Sequence, residues 1–150
     1  MGTRLADHEL RAWQALLHAH HDVTRRLDAE LREQHGLSLG DYDILLRLVA
    51  APDRSLRMSD LATRVMVPPS TLTRRLDRLV ADGLVDRRRL ETDSRVLLAC
   101  LTKTGRRALR RAAPTHLRGI RKHYTGRLSK AQLGAVAAGL EVITGPHEAH

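Results

Sequence analysis

The sequence predicts a mainly α fold with a small β-hairpin wing, a winged helix-turn-helix held between helical termini. Three observations predict it. Apolar residues recur at helical spacing over most of the 150 residues. Two short amphipathic segments separated by a tight break occupy residues 59–82. Two β-type runs joined by a polar turn follow directly, at residues 84–102.

The elements follow in order. Leu5 to His35 holds Leu10, Trp13, Leu17, Leu27 and Leu31 at helical spacing without Pro or Gly, and Gly36 stops it. Ser38 caps a second helix striped by Tyr42, Leu45, Leu46 and Val49, which ends before Pro52. Ser55 to Met58 has the length of a minimal strand, and Ser59 is placed to cap a short helix carrying Leu61, Ala62 and Val65. After the break at Val67, Pro68 and Pro69, the next helix shows Leu72, Leu76, Leu79 and Val80, ending at Gly83. The strands Leu84 to Leu90 and Arg95 to Thr102 flank the turn Glu91 to Ser94. Thr102 caps a long helix whose stripe, Leu109, Ala113, Leu117, Ile120, Tyr124 and Leu128, passes a kink expected at Pro114. Ser129 and Gln132 form a capping box for a last helix with Leu133, Val136, Leu140 and Ile143, closed by Gly145 and Pro146; His147 to His150 reads as a loose tail.

Composition narrows the function classes. With 26 Lys+Arg against 17 Asp+Glu the net charge is +9, which favours a polyanionic partner. Only Lys103, Lys122 and Lys130 are lysines, so the cations are forked guanidiniums suited to phosphate and guanine edges. Trp13, Tyr42 and Tyr124 are the only aromatics, too few for the stacking platforms that read single strands, so the expected nucleic acid is duplex. Cys100 stands alone, which excludes an intramolecular disulfide framework and a thiolate zinc site and fits a reducing cytoplasm. No window approaches the apolar run of a signal peptide or a membrane span.

The second helix of the pair can be read face by face. At about 100° per residue its apolar side centres on Leu72, and Arg74 lies most nearly opposite, flanked by Ser70, Thr73 and Arg78. Short hydroxyls and guanidiniums on an outward face are the side chains that read base edges and phosphates. An ordinary solvated helix face shows the same pattern, and the hairpin tips the balance. Arg87, Arg88, Arg89 and Arg95 surround its turn, and Asp93, two residues before Arg95, is placed to hold that guanidinium in a fixed pose for a narrow minor groove. The candidate DNA-binding residues are therefore Ser70, Thr71, Thr73, Arg74, Arg78, Arg87, Arg89, Asp93 and Arg95.

The stretch LRMSDLATRVMVPPSTLTRRLDRLVADGLVDRRRLETDSRVLLACLTKTGRRAL, including the exit Leu101, Thr102 and Gly105, resembles the winged-helix core of MarR-type bacterial transcriptional regulators. The flanking helices extend the likeness to residues 5–144. The resemblance implies one domain over 1–150, with a DNA-binding lobe at 39–102 and helices 5–36 and 103–144 interlocking in a homodimer. It implies a repressor of a pseudo-palindromic site, released by a small-molecule effector bound between the dimer body and the lobes. Carried over by position, the recognition helix is Pro69 to Asp82, with Ser70, Thr73 and Arg74 in contact with base or backbone, Arg95 as the wing arginine and Asp93 as its orienting acid. Pro68 and Pro69 depart from the family, whose members more often place a hydroxyl cap and a polar residue there. Trp13, His20, His21, Asp43 and Arg47 match an effector pocket for anionic phenolic compounds, with Trp13 equally suited to a dimer core.

Other chemistry finds little support. His18, His20 and His21, and the pair His116 and His123, lack neighbouring Cys or carboxylates at ligand spacing, so no metal and no cofactor is expected. Cys100 sits on a wing strand, the place of an inert buried thiol. No phosphate loop, nucleophile elbow or paired carboxylates indicate an enzyme. The competing reading is a basic architectural or RNA-associated helical protein, suggested by residues 103–150, which carry 10 cations and 2 anions.

Overall fold

In the computed structural model, residues 4–145 are described; the expected stop at Pro146 and the tail His147 to His150 lie outside the described residues. Helix α1, Asp7–His35, opens where the Ala6 N–H donates to Glu9 Oε2 at 2.7 Å. It closes at Gly36, whose φ of 66° is the left-handed turn that glycine adopts without strain. Helix α2, Leu39–Ala50, is capped as the sequence predicts, with Ser38 Oγ accepting the Asp41 N–H at 2.9 Å.

Strand β1, Ser55–Arg57, runs straight into α3, Met58–Arg64. Ser59 is therefore not a cap. The helix starts at Met58 behind Arg57, because pairing of Arg57 with Leu98 in the sheet fixes where the chain turns into the helix. Met66, at φ 56°, makes the tight turn into α4, Pro69–Ala81. Strands β2, Val85–Leu90, and β3, Asp93–Leu101, form the hairpin, and β1 adds to the far side of β3 in an antiparallel sheet of order β1-β3-β2. The register jumps between Arg89 and Leu90, an irregularity of the kind that bends and twists a hairpin near its tip.

Helix α5, Lys103–His123, is capped by Thr102 Oγ1, which accepts the Gly105 N–H at 2.9 Å. It continues through Pro114, where the sequence suggests a kink; Pro114 is exposed, so water can satisfy the carbonyl that loses its partner there. Helix α6, Lys130–Thr144, begins with the predicted Ser129–Gln132 capping box.

One core unites α1 to α5 and the sheet. Leu31, Ile44, Leu45, Leu48, Leu61, Leu72, Leu76, Leu79 and Val85 are its fully buried members. The face that α5 turns inward differs from the expected stripe. Gly105, Leu109, Ala112, Thr115 and Gly119 are buried, while Leu117 is 63% exposed. Small residues win there because α1 approaches closely: a Cβ on Gly119 would fall 2.5 Å from Leu27 Cδ2. Thr115 ties the two helices by hydrogen bonds. Its single proton goes to Gln34 Oε1, which only accepts, so the His35 Nε2 at 2.8 Å and the Arg118 Nη2 at 3.2 Å must be donors, fixing the His35 tautomer. No residue of the first half of α1 or of α6 is fully buried within the chain, though Leu133 and Val136 of α6 are half-buried. No helix among the described residues is long and apolar enough to cross a membrane.

Candidate nucleic-acid interface

Helix α4 buries Leu72, Leu76 and Leu79 and turns Ser70, Thr73 and Arg74 to solvent, with Thr71 half-buried at the edge, the division expected from its sequence. Arg74 has no ion pair among the described residues, so its guanidinium is available to a partner. Thr73 Oγ1 donates to the Pro69 carbonyl at 3.0 Å, which leaves its lone pairs outward as acceptors.

The wing presents Arg95 at its tip with a side chain 89% exposed. Asp93 holds it as predicted: Arg95 Nε donates to Oδ1 at 3.1 Å, Nη2 to Oδ2 at 3.2 Å, and the Arg95 backbone N–H to Oδ1 at 3.1 Å. These bonds, the side-chain ones foremost, keep the Asp93 carboxyl below its ordinary range. A guanidinium fixed at both ends of its fork reaches outward in one pose rather than many.

Three other arginines of the predicted set have internal partners. Arg78 donates to both oxygens of buried Asp41, at 2.9 and 3.2 Å, joining α4 to the first turn of α2. Arg87 donates from β2 to Asp77 at 2.6 Å and to the Thr73 carbonyl at 3.2 Å, joining wing and helix. Arg89 donates to the Ser94 carbonyl at 2.8 Å across the hairpin. Arg78 and Arg87 set the relative positions of α4, α2 and the wing, and Arg89 braces the hairpin itself. Asp41 and Asp77 were not legible as partners of Arg78 and Arg87, because 37 and 10 residues separate the pairs.

Arg75 was also missed. A Cβ on Gly40 would fall 2.5 Å from its Nη1, so the guanidinium lies against the α2 N-terminus. Beside it stands Asp28, which burial pushes up in pKa but which the Leu39 N–H, Arg32 and Arg75 together bring below its ordinary value. Arg75 lines a cleft of about 740 Å³ between α1, α2, α4 and α5 that also gathers His20, His21, Asp43, Arg47 and His116. Four of the five residues expected in an effector pocket thus meet in one cleft. Trp13 does not; it lies nearly two turns before His20 on the part of α1 that extends beyond the chain's own body, 53% exposed.

His116 stacks on Tyr42 with ring centroids 4.4 Å apart. Burial lowers its pKa, partly opposed by Asp43. The folded state therefore holds His116 neutral where the unfolded chain takes a proton, so stability falls as pH drops through about 6.5. Melting temperatures between pH 7.5 and 5.5 check this: His116→Phe, which keeps a ring on Tyr42, is expected to flatten the decline, and an unchanged decline would assign it to other groups.

Fold and site together define a winged helix-turn-helix protein of the kind whose second helix and wing face a duplex. A profile of the MarR family matches residues 35–96. The chain is similar to the HTH-type transcriptional repressor YetL of Bacillus subtilis, 39% identical over 102 residues that make up 66% of this chain; it spans about three fifths of that relative's length, 61%. Among solved structures it is similar to AbsC of Streptomyces coelicolor, a MarR family transcriptional regulator, at 34% identity and a TM-score of 0.89 over 95% of this chain and 96% of that one. Sco3205 of the same organism, a MarR family regulator solved in complex with DNA, is 29% identical with a TM-score of 0.88 over 94% of this chain and 92% of that one. The chain belongs to the MarR family of transcriptional regulators, which are not enzymes.

Proposed function

We propose that the protein is a cytoplasmic transcriptional repressor that binds a pseudo-palindromic duplex site as a homodimer and is released by a small anionic effector. The observation that carries DNA reading is the pairing of two outward arginines of different kinds. Arg74 stands free on the exposed face of α4, and Arg95 is held by Asp93 at the wing tip. The first suits a guanine edge in the major groove and the second a minor groove beside it. The DNA complex of Sco3205 and the repressor role of YetL support the same reading.

In this proposal residues 39–102 form the reading lobe, and residues 5–36 and 103–144 form the dimer body. Leu16 and Leu17 on α1 and Val142 and Ile143 on α6 are exposed apolar side chains, the last two 87% and 75% exposed, and a second copy would cover them. Leu140→Asp is expected to place an unpaired charge in that contact and to yield monomer or aggregate by light scattering. A dimer mass retained by this variant would refute the assignment. The cleft holding Arg47, Arg75, His20 and His21 is the proposed effector site, since it touches both the reading helix and the dimer body.

Selection of bound sites from a pool of random duplexes tests partner, symmetry and spacing together. Two inverted half-sites with centres about one helical turn apart are expected. Recovery of unrelated sequences would overturn the proposal.

A further inference from the structure

Helix α5 carries eight Lys or Arg residues and no Asp or Glu. At about 100° per residue all eight fall within one half of its circumference, away from the buried Gly105, Leu109, Ala112 and Gly119. Seven are exposed and Arg106 is half-buried, giving a basic ridge about 30 Å long.

The ridge differs from the rest of the chain in how its charge is compensated. In the winged lobe Arg47, Arg78, Arg87, Arg88 and Arg95 each meet an aspartate. Of these eight only Lys122 reaches a carboxylate, Glu30 at 3.7 Å, which His123 at the end of α5 also meets at 2.7 Å; the other seven cations have no salt-bridge partner among the described residues. Lys103 and Arg107, Arg106 and Arg110, Arg107 and Arg111, and Arg118 and Lys122 are like charges four residues apart, and each such pair destabilises a helix. Charge that opposes the fold in this way and lacks an internal carboxylate is open to an external anion.

Its position separates the ridge from the reading face. Helix α5 leaves the sheet at the hairpin base, where Val85 pairs with Leu101, and Arg95 lies six residues further up β3, about 20 Å away. From there α5 runs on to His123, several Debye lengths of ~8 Å beyond its first turn. A duplex held by α4 and the wing therefore leaves most of the ridge unscreened. Ridge against ridge does not suit a second copy, since like charges repel; of the exposed apolar residues, Leu16, Leu17, Val142 and Ile143 lie on α1 and α6, and Leu117 lies on α5 between its two groups of cations.

We propose that the exposed basic face of α5 is a second, sequence-independent surface for duplex nucleic acid, separate from the reading face of α4 and the wing. Six of its eight cations are arginines, whose planar forks match phosphate oxygens. The ridge is close to one turn of duplex in length, about 34 Å. It presents no aromatic ring on which single-stranded bases could stack.

The test is a titration at low salt. Wild-type protein saturated with its selected operator is expected to bind a labelled random 30-base-pair duplex in addition. The variant with Arg110→Gln, Arg111→Gln, Arg118→Gln and Arg121→Gln is expected to bind the operator as before. Its affinity for the second duplex should fall at least about tenfold, with the log–log salt slope reduced by roughly three to four. The inference is overturned by no second binding to wild type, by equal second binding to the variant, or by displacement with poly-glutamate as effective as with duplex, which would point to an acidic protein segment. Random duplex titrated without operator reads the ridge even if operator binding itself fails, so the two proposals fail separately.

Discussion

Gly105→Ala is expected to destabilise the protein by about 3 kcal/mol, the upper end of what one added methyl costs in a packed site. Its Cβ would collide with the backbone carbonyl oxygen of Leu84 and fall 2.8 Å from Leu101 Cδ1. Neither neighbour can yield easily. The Leu84 carbonyl already accepts the Thr102 N–H at 3.2 Å, and Thr102 Oγ1 donates to the Gly83 carbonyl at 2.7 Å while receiving the Gly105 N–H. These bonds clamp the end of α4, the base of the wing and the start of α5 at one point, so displacing the carbonyl disturbs all three. A fall in Tm of roughly 6 to 12 °C is expected. Thr104→Ala next to it, on the exposed side of the same turn, is expected to change stability by no more than about 0.5 kcal/mol. Equal melting of Gly105→Ala and wild type would show that the close approach is not a constraint.

Arg74→Ala is expected to weaken binding to the selected site by about 1 to 3 kcal/mol, roughly 5- to 150-fold, and to relax preference at one base position in each half-site. Arg95→Ala should act differently, lowering the slope of log affinity against log salt by roughly one per half-site with less effect on the major-groove positions. Asp93→Asn separates charge from pose: it keeps the Arg95 guanidinium but removes the carboxylate that receives it at 3.1 and 3.2 Å, so a loss of affinity despite the added positive charge would identify the fixed pose as what matters. If Arg74→Ala and Arg95→Ala both bind the selected site as tightly as wild type, the reading face has been assigned to the wrong elements.

The local elements were legible because local chemistry decides them. Ser38, Thr102 and Ser129 each cap the helix the sequence assigns to them, since an Ncap hydroxyl needs only the N–H groups of its own first turn. The apolar face of α4 and the Asp93 hold on Arg95 involve residues within a few positions of each other and were equally readable. Ser59 failed as a cap for a reason outside its own turn: strand pairing at Arg57 started the helix two residues earlier.

What the sequence determined by itself was thus the kind of protein: helix order, the hairpin, the outward face with Ser70, Thr73 and Arg74, and a basic charge that suits a polyanion. Only the tertiary structure decided which arginines are free. Arg74, Arg78, Arg87 and Arg95 are alike as residues, but Arg78 meets Asp41 and Arg87 meets Asp77, partners that come near only when α2, α4 and the wing pack together. The same holds for the cleft, where Arg75 joins His20, His21, Asp43 and Arg47 from another helix while Trp13 is left outside. The inward face of α5 was settled by how closely α1 approaches, which selects Ala112 and Gly119 over the bulkier Leu117. Periodicity reports which residues share a helix face, whereas the distance to the neighbouring helix determines which of those faces is buried.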